Sequence, residues 1–222
     1  MRVPSPVPTL EVSRVEGSQA QSEMKTVFIV PKMFTGVELA SVDASLPDDF
    51  QDKSKEFWDY VDEKLRTQLY VQKLYYDSLT KEDSEESLEF IKKNNKQCYN
   101  LVQKFRDGGA KLQATEDPLL LAETVSWVSM LKDNEETDLA TEEMLAKNMM
   151  DRDKYIADKI SESLKENETG ILFLAPGRQV VNLLSSDIRV IKIQPFDPTD
   201  YVNSWLTTTA LNKSEKEKSS QE

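Results

Sequence analysis

Histidine is missing from this 222-residue sequence, and cysteine occurs only once, as Cys98. Without histidine there is no Ser-His-Asp triad, no histidine-ligated zinc and no imidazole general base, which excludes a large share of hydrolytic chemistry. A lone cysteine can form neither an intramolecular disulfide nor a thiolate metal cage. Cys98 falls among the apolar positions of a predicted helix, so we interpret it as a small hydrophobic side chain and not as a nucleophile.

Basic residues are also scarce relative to acidic ones. The chain has 28 Lys and Arg against 40 Asp and Glu, for a net charge of −12. A nucleic-acid binder needs a basic face and a membrane-surface protein needs a basic amphipathic helix, so the balance is unfavourable to both. No run approaches the roughly 20 apolar residues of a membrane span. We therefore predict a soluble, cytoplasmic, acidic protein with no cofactor.

The length favours one domain with appended ends, because roughly 150 residues are typical of a domain. Residues 1–23 are rich in Pro, Ser and Gln, and residues 212–222 are almost entirely Lys, Glu, Ser and Gln. Neither end offers enough apolar surface to offset the entropy of ordering, so both are predicted to be disordered. The single folded domain is predicted to span 24–211.

Short apolar runs alternate with helical patterns along that domain. The run at 26–31 (TVFIVP) has no polar alternation, as expected of a parallel strand buried on both faces. The alternation predicts an α/β fold with a small, mostly parallel sheet flanked by long helices. Strands are predicted at 26–31, 71–76, 110–115, 171–175 and 188–193, and helices at 50–68, 84–105, 118–131, 138–167, 179–184 and 200–211.

Three of these helices carry more specific expectations. The helix at 118–131 is apolar on most sides, which is typical of a helix in the centre of a fold. The helix at 138–167 is followed by Gly170, which we expect to cap its C-terminus. The last helix carries Tyr201 and Trp205 four residues apart, and both are expected to pack back onto the body of the protein.

Ligands of open parallel sheets bind at the carboxyl ends of the strands, so the residues just after each strand are the candidate site. Three of these are the carboxylates Asp77, Glu116 and Asp117. They could converge to bind Mg²⁺ or Ca²⁺ through oxygen ligands. Asp is also a common helix N-cap, and Asp117 directly precedes a proline that suits a first helical turn. We favour the capping interpretation.

Arg152 falls within the apolar stripe of the helix at 138–167, where a guanidinium is rarely buried without a partner. It could clamp an anionic ligand, or it could form a buried ion pair that fixes the packing. We favour the ion pair, since buried charges are generally paired. The candidate partners are Asp77, Glu116 and Glu123, of which Glu123 is the expected one.

The segment Ala175-Pro176-Gly177-Arg178 separates a strong strand from a helix. Backbone N–H groups there could hold an anion with help from Arg178. No Walker sequence or G-x-G-x-x-G fingerprint accompanies it, and Pro176 removes one donor, so a tight turn is the favoured interpretation. The ligand-binding candidates are therefore Asp77, Glu116, Arg152 and Arg178, with no metal ligand assigned.

Residues 149–180 (MMDRDKYIADKISESLKENETGILFLAPGRQV) resemble the TraB/Tiki-type proteins of the EreA/ChaN-like group. The resemblance rests on Arg152 opening a helix and on an isoleucine pattern that leads into a hydrophobic strand and tight turn. In that family two strands each end in Gly-x-x-His, with metal-dependent activity, and an acidic residue follows another strand. Here those positions fall on 31–34 (PKMF) and 175–178 (APGR), which lack both glycines and both histidines, while Asp77 stands near the acidic position. The resemblance implies a degenerate member without the metal site.

Together these patterns predict a non-catalytic protein that binds a protein partner or a small anionic ligand at the strand ends. The alternative is a Mg-dependent hydrolase that uses Asp77, Glu116 and Asp117. A third hypothesis concerns the segment 133–143, which has six acidic residues and no basic one and could dock a basic partner. The oligomeric state is left open by the sequence.

Overall fold

The structure, a computed structural model, describes residues 24–34, 46–68, 70–133 and 139–219, with the side chains of 132–133 and 209–219 left out of the description. Within these ranges the chain forms a five-stranded, fully parallel sheet in the order β3-β2-β4-β1-β5, together with seven helices. The predicted α/β class is confirmed. The strands are β1 (Lys25–Pro31), β2 (Lys73–Tyr76), β3 (Lys111–Gln113), β4 (Thr169–Leu174) and β5 (Ile188–Lys192). The helices are α1 (Phe50–Arg66), α2 (Glu85–Asn94), α3 (Lys96–Asp107), α4 (Pro118–Asp133), α5 (Leu139–Ser163), α6 (Val180–Leu183) and α7 (Pro198–Ser219).

Helices cover both faces of the sheet, which explains the uninterrupted apolar run of β1. Phe28 and Val30 pack into the larger core with residues of α1, α2, α3 and α7. Val27 and Ile29 pack on the other face with α5 and α6. Because successive side chains of a strand point to opposite faces, every position of a strand covered on both sides must be apolar.

The helix predicted over 84–105 is two helices, and the break lies at Asn95. Its φ and ψ of −152° and 99° are extended, so the residue ends α2 and starts α3. The Asn95 Oδ1 accepts a hydrogen bond from the N–H of Cys98 at 3.0 Å, which is an N-cap interaction. Cys98 is fully buried in the core, where it packs as a small hydrophobic side chain.

The prediction that the helix at 118–131 is central is wrong. No α4 residue with a described side chain is buried, and Leu119 is 75% exposed. The helix packs mainly against α5. The apolar composition of α4 therefore does not reflect burial by the part of the chain that the structure describes.

The expectation for Gly170 is also wrong. Helix α5 ends at Ser163, and Gly170 lies inside β4, paired with Val27 of β1 and Lys73 of β2. A Cβ at Gly170 would lie 2.8 Å from Cε2 of Tyr75. The glycine is needed for this close approach between strand and ring, and not for a helix cap.

The C-terminal helix extends further than predicted. Helix α7 continues to Ser219, through residues 212–219 that were expected to be disordered. Tyr201 and Trp205 pack against the larger core, as the helical spacing predicts. Residues 1–23 and five residues of the acidic segment, 134–138, lie outside the described residues. None of the helices in the described ranges is both long enough and apolar enough to cross a membrane.

Candidate functional site

Six charged side chains from four strand ends and one helix meet at the carboxyl edge of the sheet. We call them the strand-end ion network. Three are positive and three are negative, so the formal charge of the set is 3 − 3 = 0. The members are Lys32 after β1, Asp77 after β2, Glu116 after β3, Arg178 after β4, and Arg152 and Asp153 on α5.

Arg152 and Glu116 form a buried ion pair within the network. The guanidinium donates from Nε to Glu116 Oε2 at 3.0 Å and from Nη2 to Oε1 at 2.6 Å. A third donor, Nη1, lies 3.0 Å from the hydroxyl of Thr124 on α4. The side chains are 5% and 0% exposed. The structure thus contains the buried ion pair that the sequence predicts for Arg152.

The expected partner Glu123 is not the one used. Glu123 lies on the exposed side of α4, and its Oε2 accepts a hydrogen bond from Nδ2 of Asn148 at 3.0 Å. Glu116 lies between the end of β3 and the start of α4, and from there its carboxylate contacts Arg152 of α5. Thr124, which is one residue further along α4 than Glu123, faces α5 in its place.

Arg178 holds the other half of the network together. Its Nε donates to Asp153 Oδ1, and its Nη1 donates to Asp77 Oδ1 at 3.2 Å. Nη2 lies 3.6 Å from Glu116 Oε1 and makes no hydrogen bond to any described residue. The side chain is 5% exposed although it follows a surface turn. Its charge is thus directed at the carboxylates of this chain.

The segment before Arg178 is the tight turn that the sequence predicts. Gly177 has a φ of 81°, which follows Pro176 as in a type II turn. The N–H of Ala175 donates to Asp77 Oδ2 at 3.0 Å, and that of Gln179 donates to an oxygen of Asp153 at 2.8 Å. These backbone donors, which could have held an anion, already bind carboxylates of this chain.

The three carboxylates after β2 and β3 do not converge. Asp77 and Glu116 both join the network, but Asp117 caps α4 by accepting from the N–H groups of Leu119 at 2.7 Å and Leu120 at 3.2 Å. The capping interpretation of Asp117 is confirmed. Among the described residues, no group of three or more Asp, Glu, Cys or His side chains is placed to hold a metal ion.

Two members of the network were missed by sequence reasoning. Lys32 directly follows β1, and its Nζ lies 3.9 Å from Asp77 Oδ2 and 4.5 Å from the centre of the Tyr76 ring. Asp153 lies four residues after Met149, at the spacing of the apolar stripe of α5. The available signal was a charged residue at the spacing of the apolar stripe. That signal was used for Arg152 but not for its neighbour Asp153.

Burial and charge act in opposite directions on the carboxylates. Burial alone would raise the pKa of Asp77, but the positive charges of Lys32 and Arg178 and the N–H of Ala175 hold that pKa below its usual value. Burial raises the pKa of Glu116, an effect that Arg152 opposes. Asp77 is therefore the carboxylate whose charge is stabilised by the fold.

This difference predicts the acid sensitivity of the protein. A lowered pKa in the folded state stabilises the fold above the unfolded pKa of about 3.9, and the stabilisation is lost as the pH falls through the folded pKa. We expect Asp77→Asn to cost about 1–3 kcal/mol at pH 7. We also expect it to weaken the loss of stability on acidification. Urea unfolding from pH 7 downward measures both effects.

The matched control for this prediction is Asp62→Asn. Asp62 is partly exposed and pairs with Lys104 at 2.8 Å on the surface, so its replacement should leave the pH dependence close to that of the original chain. An Asp77→Asn protein that keeps the full acid sensitivity would show that Asp77 does not carry it.

A pocket lies beside the network at the carboxyl ends of β1, β4 and β5. It has a volume of about 350 Å³. Its apolar wall includes Ile29, Pro31, Leu174 and Val181. Its polar wall carries the side-chain types that recognise small polar molecules: Gln179, Asn182, Lys192, Gln194, Asp197, Thr199 and Asp200.

Some of these polar groups are already ordered by one another. Asn182 donates from Nδ2 to Gln179 Oε1 at 2.8 Å, and Asp197 accepts from the N–H of Thr199 at 2.8 Å as the N-cap of α7. Part of the pocket wall is thus held in place by hydrogen bonds within the chain.

Comparisons of the chain with protein families, with curated proteins and with solved structures find no match.

Proposed function

We propose that this chain is a non-catalytic binding protein that takes a small polar ligand in the pocket at the ends of β1, β4 and β5. The observation that carries the proposal is the position of the pocket. Strand β1 is followed by a helix on one face of the sheet and its neighbour β4 by a helix on the other. In open α/β sheets the crevice between two such strands is where ligands bind.

The wall chemistry favours a ligand that carries both charges. Lys192 offers a cation, and Asp200 offers an exposed carboxylate. Arg178 also lines the pocket, but its charge is balanced by Asp77 and Asp153. A purely anionic ligand, one of the two kinds of partner that the sequence predicts, would face the pocket carboxylates with Lys192 as its one unbalanced cation. A small zwitterion, with one carboxylate and one ammonium group, matches the wall better.

The absence of catalysis is supported by the state of the strand-end ion network. A carboxylate that binds Mg²⁺ or acts as a base needs free lone pairs and access to substrate. Glu116 accepts two hydrogen bonds from Arg152 and is 0% exposed, and Asp77 contacts Arg178, Lys32 and a backbone N–H. The charges that a hydrolase would use are satisfied within the chain.

The same arrangement supports degenerate TraB/Tiki ancestry as part of the proposal. Residues 31–34 begin at the last residue of β1, residues 175–178 follow β4, and these two strands are parallel neighbours. The two motif positions therefore lie side by side at the edge of the sheet. Where the family carries histidines, this chain has Phe34 and Arg178. At the second of these positions, Arg178 pairs with Asp77 and Asp153.

Thermal denaturation with a panel of compounds tests the proposal. The panel contains free amino acids as zwitterions, neutral sugars, inorganic phosphate and MgCl₂. We expect a zwitterion at about 100 times its Kd to add about 2.7 kcal/mol of stability, which is a rise in Tm of roughly 5–10 °C. Lys192→Met should abolish that rise, whereas Lys93→Met, an exposed lysine on α2, should leave it intact.

Other results would contradict the proposal. A rise caused by phosphate alone would restore the anionic ligand, and a panel without any effect would remove the pocket as a site for these compounds. Turnover of an ester, peptide or phosphate substrate with MgCl₂, lost in Glu116→Gln, would establish the hydrolase alternative.

A further inference from the structure

Helix α4 presents a continuous exposed surface that is almost free of charge. We call this surface the α4 face. From Pro118 to Leu131 the sequence has a single charged residue, Glu123. The three large apolar side chains of the face are 75%, 61% and 49% exposed. These three side chains are Leu119, Val125 and Met130, respectively. The other residues of the α4 face are Ala122, Glu123, Ser126 and Ser129.

Such a helix is out of place at the surface of a monomer. A helix that is apolar on all sides is typical of an interior, and contiguous exposed apolar patches usually mark interaction sites. Yet α4 packs mainly against α5, and none of its described side chains is buried. The opposite side of α4 is engaged, because Thr124 contacts both Asn148 and Arg152 of α5. The α4 face is therefore the part of the helix that the described residues of this chain leave uncovered.

Helices α4 and α5 form a hairpin. One end of the hairpin is fixed beside the sheet, and the other end extends away from the sheet. The pair between Arg152 and Glu116 marks the fixed end. Beyond it toward the C-terminus of α5, Ile156 and Ile160 pack on the sheet. Before it, the part of α5 from Leu139 to Asp151 has 13 residues and a length of about 20 Å. Within this part, Asn148 donates hydrogen bonds to Leu120 and Glu123 of α4. This part of the hairpin is accessible to a partner.

The charge of the chain indicates which kind of partner binds the α4 face. A membrane surface attracts helices with Lys or Arg on the polar side, and the α4 face has neither. A basic peptide needs several carboxylates, whereas the face offers only Glu123, which already accepts from Asn148. A second copy of this chain carries the same charge of −12, so two copies repel each other least where their contact surface is nearly free of charge. The α4 face meets that condition.

The face is also complementary to itself. In an antiparallel pair related by a two-fold axis near residues 124 and 125, Leu119 of one copy lies opposite Met130 of the other, because both are the same number of residues from the axis. By the same count Glu123 lies opposite Ser126 and not opposite a second Glu123. Ala122, Ser126 and Ser129 lie between the large residues, so the two backbones can approach closely.

We propose that two copies of this chain associate through their α4 faces as an antiparallel, two-fold symmetric dimer. Helices α4 and α5 of both copies then form a four-helix arrangement, with the apolar side chains covered at its centre. The symmetry is isologous, so the contact closes on itself and leaves no further copy of the α4 face exposed.

Sedimentation velocity at roughly 50 µM, a concentration suited to a micromolar dimer, tests the association. We expect the full chain to sediment at twice its mass of 25.4 kDa. Ala122→Glu places a negative charge in the centre of the contact and should give the monomer mass. Asn100→Glu, the same added charge on the exposed side of α3, should keep the dimer. Circular dichroism and a cooperative melt verify that each variant is folded, and Ser126→Glu replaces Ala122→Glu if the latter does not fold.

Oxidative crosslinking tests the register. The double variant Leu119→Cys and Met130→Cys should form a covalent dimer, whereas each single variant should not. The two positions are about 16 Å apart along one helix, too far for a bond within one chain. Cys98 is buried and remains in place in all variants.

Three outcomes would overturn the proposal. The first is a monomer at 25.4 kDa for the original chain. The second is a dimer that Ala122→Glu leaves intact, which would place the contact elsewhere. The third is co-sedimentation of a monomeric chain with phosphatidylcholine vesicles, lost in Ala122→Glu, which would make lipid the cover. A dimer without the crosslink would refute the antiparallel register.

Discussion

Arg152→Met is expected to lower the free energy of unfolding by about 3–5 kcal/mol at pH 7, because it leaves a buried carboxylate without its counter-charge. Glu116 is 0% exposed and receives two hydrogen bonds from Arg152, at 2.6 and 3.0 Å. Methionine fills much of the space of the arginine stem but donates nothing. Denaturant unfolding, with the midpoint and slope fitted together, measures the loss.

The control for this prediction is Arg106→Met. Arg106 donates to Asp83 at 2.7 Å on the surface, where Asp83 is 47% exposed. An ion pair of that kind contributes at most about 1 kcal/mol. If Arg152→Met cost no more than Arg106→Met, Arg152 would not be a structural residue, and the anion-clamp interpretation would return.

Gly170→Ala is expected to cost about 1–3 kcal/mol, since the added methyl group overlaps the ring of the buried Tyr75. Its Cβ would lie 2.8 Å from Cε2 of Tyr75 and 3.5 Å from Cδ1 of Leu164. The ring cannot move easily, because Tyr75 is fully buried and its hydroxyl is hydrogen-bonded to Ser163 at 2.8 Å. Urea unfolding of the variant measures the cost.

A second background isolates the cause. In a Tyr75→Leu chain the ring is gone, so the further change Gly170→Ala should cost less than about 1 kcal/mol. An equal cost in both backgrounds would show that the effect arises from the backbone of β4 and not from the contact with Tyr75.

Sequence patterns predicted the class and most element positions because apolar runs and helical spacing report directly on burial. They failed where two different structures share one pattern. The apolar spacing from Leu88 through Cys98 to Phe105 continues across the break at Asn95, so it is the same for one helix and for two. The apolar composition of α4 is the same whether its cover comes from this chain or from another.

The candidate site was found in part for a similar reason. Residues after strands can be named from the sequence, and Asp77, Glu116 and Arg178 were found that way. Their pairing depends on the strand order, in which β4 enters between β2 and β1 and brings Arg178 beside Asp77. That order follows from three-dimensional packing and has no local signal. Glu123 was expected to pair with Arg152, but α4 is apolar on most sides. The sequence of such a helix does not show which of its residues face α5.

The central claim is that the buried charges at the strand ends depend on one another, so that the fold tolerates each charge only while its partner is present. A double-variant cycle on Arg152→Met and Glu116→Leu at pH 7 tests it most directly. Each single variant leaves a buried charge without its partner and should lower the free energy of unfolding by about 3–5 kcal/mol. The double variant removes both charges and should recover most of that loss. Losses that simply add, with the double variant the least stable of the three, would contradict the claim.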